Sequence, residues 1–158
     1  MSWSSISIAP YVPSPLEVIK QMLTLADLKP GEKLYDLGCG DGRILIMAAQ
    51  EFGAEAVGVE LNLSLVREGR EKVSSLGLEE KVKIIHGNLF DIDVSPADVV
   101  TLYLTTSANE KVKPKLEKEL RPGARVVSHD FMIPGWKPVK TVRFRENYRT
   151  HTIYLYIR

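Results

Sequence analysis

Apolar residues recur along this chain at two spacings, one typical of helices and one typical of strands. At the helical spacing of three to four residues, Leu16, Ile19, Leu23 and Ala26 share one face, with Met22 beside them. The pattern predicts helices over residues 14–26, 43–52, 62–76 and 107–120.

Residues that favour helix starts precede three of these segments. Ser14 is predicted to be the N-cap of the first helix, with Pro15 at its first position. Asn62 is predicted to cap the third helix, because its side chain can accept from the free N–H groups of a first turn. Ser107 and Glu110 have the spacing of a capping box and predict the start of the last helix.

Short apolar runs between turn residues predict the strands. They cover residues 33–37, 56–60, 82–86, 97–104 and 124–129, followed by two alternating segments at 139–145 and 150–157 that predict a hairpin. Alternation of strands and helices is typical of a doubly wound, mostly parallel α/β sheet, here seven-stranded with a C-terminal antiparallel hairpin. Such a sheet binds ligands beyond the carboxyl ends of its strands.

Length and composition fit one globular domain over residues 1–158, with an N-terminal arm and helix at 1–30 and a core at 31–158. Apolar runs are too short to cross a membrane, so no membrane partner is predicted. The single cysteine, Cys39, and an N-terminus unlike a signal peptide predict a cytoplasmic protein. Gln, Asn and Cys are scarce beside Lys and Glu, a bias typical of proteins from hot environments.

Charge is nearly balanced, at a formal net +1, so it does not by itself demand a nucleic-acid partner. The distribution is uneven, because residues 137–158 carry six Lys or Arg and one acid. This strip is either a solvated sheet edge kept from aggregating by its charges or a weak indication of nucleic-acid binding.

The residues from Asp36 to Gly42 form an Asp-x-Gly-x-Gly-x-Gly turn between a predicted strand and a predicted helix. Glycines let the backbone turn sharply and let a ligand lie against it, and the following helix start can receive an anionic group. The glycine spacing differs from that of dinucleotide binders, and an acid precedes it. An acid at that place favours a ligand that carries an ammonium, such as an aminoacyl group, over a pyrophosphate.

Glu60 ends the second predicted strand, 18 residues after Gly42. A carboxylate there can accept hydrogen bonds from both hydroxyls of a ribose. With the glycine turn, it indicates a ligand that combines an aminoacyl group with a nucleoside.

These motifs resemble those of class I, seven-strand methyltransferases that use S-adenosylmethionine (SAM). The resemblance rests on Asp36 to Gly42, on Val57 to Glu60 and on Gly87 to Asp91. It implies SAM as cofactor. The residues that it places on SAM within the core are Asp36, Gly38, Gly40, Gly42, Glu60, Leu61, Asn88 and Leu89. Asn88 stands where the family commonly has Asp, but its carbonyl can still accept from the adenine amine.

A narrower resemblance to small prokaryotic protein-lysine methyltransferases and their mitochondrial relatives lies in residues 10–15 and 34–38. It implies that an arm carrying Tyr11 and Val12 closes over SAM. It also implies protein substrates, with lysine side chains as acceptors and a range of targets that can be broad.

The residues after the fourth and fifth strands bear on the methyl acceptor. The Pro-Pro motif of enzymes that methylate planar nitrogens is absent after the fourth strand, and the short segment after the fifth leaves an open cleft that suits a protruding side chain. Tyr103, Phe131 and Tyr11, with Trp136, are candidates for an apolar slot that holds the lysine and favours its neutral amine.

Other interpretations remain open from the residues alone. The acceptor could be RNA or a small molecule such as a tetrapyrrole precursor, and a regulatory SAM-binding module or a nicotinamide-binding protein would use a similar turn. His129 and Asp130 are too sparse a set to predict a metal site. The chain is expected to be a monomer.

Overall fold

The computed structural model describes residues 13–146 and 148–158. Its helices are α1 (Leu16–Leu25), α2 (Arg43–Phe52), α3 (Leu63–Ser75) and α4 (Thr106–Glu119), with a 3-10 turn at Leu89–Asp91. Its strands are β1 (Lys33–Leu37), β2 (Glu55–Glu60), β3 (Val82–His86), β4 (Val99–Leu102), β5 (Arg125–His129), β6 (Lys140–Glu146) and β7 (Arg149–Ile157).

The strands form one seven-stranded sheet in the order β3-β2-β1-β4-β5-β7-β6. The first five run parallel, and β7 pairs antiparallel with both β5 and β6. This confirms the predicted doubly wound sheet with a C-terminal antiparallel hairpin. The chain order reverses between β1 and β4, and a crevice opens at the carboxyl ends of such neighbours.

Two apolar layers cover the sheet, and alternate strand residues face each layer. Leu34 of β1 and Val127 of β5 pack with α1, α2 and α3, whereas Leu37 and Val126 pack with α4. Burial on both faces explains why the central strands are nearly continuous apolar runs.

The predicted start of the first helix is wrong in detail. Pro15 is the N-cap of α1 and makes no side-chain capping bond, while the Ser14 hydroxyl instead bonds His129 at 2.8 Å. Leu16, predicted to face the core, is exposed, whereas Val18 is fully buried. The Ser14 hydroxyl, which the local sequence predicts to cap the helix, bonds the distant buried imidazole of His129 instead.

The other helix starts divide between right and wrong predictions. Asn62 caps α3, as predicted, by accepting from the N–H groups of Ser64 and Leu65. The capping box predicted at Ser107 is wrong, because α4 begins earlier, at Thr106, and its N-cap Thr105 accepts from the N–H of Ala108. The fourth strand is also shorter than predicted. In the described part of the chain, no helix is long and apolar enough to span a membrane.

Candidate cofactor and acceptor site

The glycine turn lies at the carboxyl end of β1, as predicted. Gly38, Gly40 and Gly42 all have positive φ angles, at 85°, 56° and 83°, which residues with a side chain rarely adopt. The N–H groups of Gly38 and Cys39 both donate to the carbonyl of Val59 at 2.9 Å. The turn is therefore fastened to β2 before any ligand binds.

Two further glycines, which the sequence interpretation missed, let other elements approach the turn. A Cβ on Gly58 would lie 2.6 Å from the Cys39 sulfur and 2.5 Å from Leu45. A Cβ on Gly69 of α3 would lie 2.9 Å from the carbonyl oxygen of Asp41. The positions of Gly58 and Gly69 in the sequence do not indicate that a small residue is required there. That requirement arises only when β2 and α3 pack against the glycine turn.

Asp36 is buried at the end of β1, where its Oδ1 accepts from the Thr101 hydroxyl at 2.9 Å. Burial raises its pKa to about 7. The Thr101 hydrogen bond opposes that rise and the nearby Glu60 charge adds to it. An approaching cation would favour the charged form of this carboxyl. The position fits the predicted contact with a ligand ammonium.

Glu60 joins the turn to the next loop. Its Oε1 accepts from the Gly40 N–H at 2.8 Å and its Oε2 from the Asn62 N–H at 2.9 Å. Each carboxylate oxygen can accept a second bond, so both remain able to receive a ribose hydroxyl. The adjacent Leu61 is half-buried, and its carbonyl lies 3.0 Å from the His86 imidazole.

Asp41 is a site residue that the sequence interpretation passed over. It is buried within the turn and pairs with Arg43 of α2 at 3.0 Å and Lys72 of α3 at 3.1 Å. Burial alone would raise its pKa, but the hydrogen bonds and charges of those two cations lower it to about 2. The ionised Asp41 thus ties two helices to the glycine turn.

Asn88 and Leu89 follow β3 at the same edge of the sheet. The Asn88 carbonyl oxygen accepts from the Phe90 N–H at 2.9 Å and so caps the short 3-10 turn. One lone pair remains for a purine amine. Leu89 is buried beneath the turn, in the same apolar layer as Val59.

The predicted acceptor residues Tyr103 and Phe131 lie together beyond the ends of β4 and β5. Their ring centroids are 6.3 Å apart. The Tyr103 ring also lies 4.0 Å from the imidazole of His129, and its hydroxyl is 3.5 Å from Asp130 Oδ2. The sheet therefore places an aromatic pair beside an anion at the predicted acceptor position.

Behind this pair lies a buried polar network. His129 Nε2 lies 2.8 Å from His151 Nδ1, and burial lowers the His129 pKa to about 4. His129, Asp130 and His151 hold their ligand atoms within 4.8 Å of one another, a grouping that sequence spacing could not reveal. The Arg149 guanidinium contacts both Asp130 and His151, so a positive charge of the chain itself already lies among them.

Trp136 does not join the predicted slot. Its ring packs edge-on against Tyr156 at 5.6 Å, and its indole N–H donates to Glu117 near the end of α4. Tyr156 pairs with Val126 at the start of β5, whereas the predicted acceptor position lies at that strand's other end. Tyr11 and Val12 lie outside the described residues.

Known proteins resemble this chain at the level of both sequence and structure. Residues 36–140 match the family described as the ANTKMT methyltransferase domain. The chain is 46% identical to a protein-lysine N-methyltransferase of Saccharolobus islandicus, over 98% of this chain and 96% of that protein. It is 36% identical to the adenine nucleotide translocase lysine N-methyltransferase of Mus musculus over 84% of this chain, which spans 58% of that relative.

One solved structure with the same fold is described as a methyltransferase that acts on RNA rather than on lysine. It is an RNA methyltransferase from Salinibacter ruber in complex with S-adenosyl-L-homocysteine, 44% identical, with a TM-score of 0.87. The match covers 92% of this chain and 93% of that one.

Proposed function

Because this chain belongs to the ANTKMT methyltransferase family, we propose that it transfers a methyl group from SAM to the side-chain amine of lysine residues in proteins. The observation that carries the proposal is the near full-length similarity to an archaeal protein-lysine N-methyltransferase. The aromatic pair at the predicted acceptor position supports the same conclusion.

The residues at the carboxyl edge of the sheet fit SAM. The glycine turn would lie along the methionine portion, with Asp36 near its ammonium and the first turn of α2 near its carboxylate. Glu60 would hold the ribose, and Asn88 and Leu89 would bound the adenine. When bound, SAM supplies a methyl group on a positively charged sulfur.

The protein's own residues would position the acceptor. Methyl transfer needs the amine nitrogen, the methyl carbon and the sulfur in line, which is a requirement for orientation rather than for an acid or base. Tyr103 and Phe131 offer an apolar surface along which a lysine stem can lie. Such surroundings favour the neutral amine over the ammonium, and only the neutral amine is nucleophilic.

Methylation of a defined mixture tests the proposal. The protein is incubated with methyl-labelled SAM, a proteome extract stripped of nucleic acid and, separately, protein-free total RNA. We expect label on lysine side chains, located by mass spectrometry, and on many proteins if the substrate range is broad. Label on RNA with none on lysine would overturn the lysine assignment while leaving methyl transfer intact.

RNA is the second candidate because the Salinibacter relative is described as an RNA methyltransferase. The basic residues of the β6–β7 hairpin support RNA as a substrate only partly. Arg143 and Arg145 on the outer strand are exposed, but Arg149 pairs with a carboxylate and Arg158 covers an indole ring. Binding that weakens steeply with added salt would favour RNA.

Three further properties belong to the same proposal. The single buried Cys39 supports a reducing, cytoplasmic location, and the scarcity of thermolabile residues supports a hot habitat. We expect a monomer by light scattering, and a melting temperature well above that of mesophilic domains, which cluster at about 45–65 °C.

A further inference from the structure

A carboxylate lies at the acceptor position, held by an unusual backbone conformation. Asp130 follows β5 directly and Tyr103 follows the neighbouring β4, so the two side chains meet at the same edge of the sheet. Asp130 has φ +65°, a region that residues with a side chain seldom occupy, although Asp and Asn tolerate it best. Such conformations concentrate at functional sites.

A cation of the chain covers this carboxylate. The Arg149 guanidinium contacts Asp130 Oδ2, and the Tyr103 hydroxyl lies 3.5 Å from the same carboxylate oxygen. The Arg149 side chain is 53% exposed, whereas that of Asp130 is 12% exposed. A largely solvated cation therefore closes off a nearly buried anion directly beside the aromatic pair.

Besides contacting His151, Arg149 lies at a carboxylate and near a phenol oxygen, two groups that a lysine ammonium could also use. An ammonium is a point charge with several donors, and it can bond a carboxylate and a phenol oxygen together. On the basis of the proposed function, we infer that Asp130 receives the lysine ammonium of the substrate protein as it docks and that Arg149 occupies this place until the lysine displaces it. Asp130 thereby selects a cationic side chain, and Arg149 is an internal competitor. The docked ammonium then loses its proton to water, and the neutral amine that remains beside the aromatic pair is the nucleophile.

Displacement of Arg149 is energetically feasible. It is the first residue of β7 beside the hairpin turn, and its long side chain can turn into water. Ion pairs with such an exposed partner contribute little stability. Asp130 keeps the bonds that it accepts from the Thr152 N–H at 3.2 Å and from the Tyr103 hydroxyl at 3.5 Å, so the carboxylate stays in place when the arginine leaves.

Substitutions of Asp130 and of Arg149 should change KM for a lysine peptide in opposite directions. Asp130→Asn keeps the shape, the Thr152 bond and the tolerance for positive φ but removes the charge, so KM for a lysine peptide should rise about tenfold or more. Arg149→Gln removes the competitor, so that KM should fall several-fold. The dissociation constant of SAM, measured by calorimetry, should stay unchanged in both.

A purely structural ion pair would behave differently. Removing either partner would then shift KM in the same direction and lower the melting temperature to a similar extent, and that result overturns the inference. Should Asp130→Asn not fold, Arg149→Gln decides alone, because an unchanged or raised KM contradicts the competitor role.

A matched variant controls for net charge. Arg145→Gln removes an arginine from the outer strand of the same hairpin and should leave KM for the peptide unchanged. A fall equal to that of Arg149→Gln would assign the effect to general repulsion and overturn the inference. Wild-type protein that methylates no lysine peptide at all would instead contradict the proposed function on which the inference rests.

Discussion

The Glu60 carboxylate accepts the backbone N–H of Gly40 at 2.8 Å, although 20 residues separate the two. One oxygen thus fixes the middle of the glycine turn, and the other fixes the loop that leads into α3 through Asn62. The residue proposed to hold the ribose is therefore also the residue that shapes the glycine turn proposed to hold the methionine portion of SAM.

Replacing Glu60 by Gln should impair SAM binding by at least the cost of one charged hydrogen bond. Gln offers one acceptor and one donor where the structure has two acceptors, so an N–H group of the loop would face another N–H. Losing a charged hydrogen bond costs roughly 1.5–3 kcal/mol, or about a 10- to 150-fold rise in the dissociation constant. Calorimetry measures the dissociation constant of SAM, and Glu55→Gln at the opposite end of β2 is the control. Equal affinity in Glu60→Gln and wild type would contradict the role of Glu60 in binding SAM.

Binding of SAM should depend on pH through Asp36. Burial raises its pKa to about 7 in the free protein, so the carboxyl carries a proton in much of the population below that pH. A cationic ligand favours the charged form, so affinity should rise with pH from about 6 to 8 and binding should release a proton. Asp36→Asn should bind more weakly and lose this dependence; a wild-type dissociation constant that is flat over the range would remove Asp36 from the site.

Gly58→Ala should destabilise the fold because the new methyl group would overlap Leu45 and Cys39 at 2.5–2.6 Å. Overpacking of this kind costs about 1–3 kcal/mol of unfolding free energy. Gly87→Ala is the matched control, since its Cβ would meet nothing nearer than 3.9 Å. Urea unfolding compares the unfolding free energies of the two variants. An equal loss of unfolding free energy in both would contradict the packing argument.

Thr105→Ala should lower the unfolding free energy by about 1 kcal/mol, because its hydroxyl caps the first turn of α4. Ser107→Ala should have a smaller effect, since Ser107 lies inside the helix and its hydroxyl lies 3.2 Å from that of Thr105. Thermal unfolding distinguishes the two. A larger loss in Ser107→Ala would restore the capping box that local sequence predicts.

Features that depend on residues close together in the sequence could be predicted from the sequence. The positions of the strands follow from apolar runs, and the glycine turn follows from the run of residues between Asp36 and Gly42. The prediction for Asn62 is confirmed because its partners, Ser64 and Leu65, are close in sequence. In contrast, Ser14 has the local signature of an N-cap, yet its hydroxyl bonds His129, 115 residues away.

The sequence by itself determined the α/β order and the place of the glycine turn, because periodicity and turn chemistry are local. The acceptor roles of Tyr103 and Phe131 stay predictions. Only the tertiary structure decided that Trp136 lies away from that pair and that Asp130 and Arg149 lie beside it. The physical reason is register: antiparallel pairing of β7 with β5 sets which of their side chains meet. A shift by one residue would turn each side chain of β7 to the opposite face.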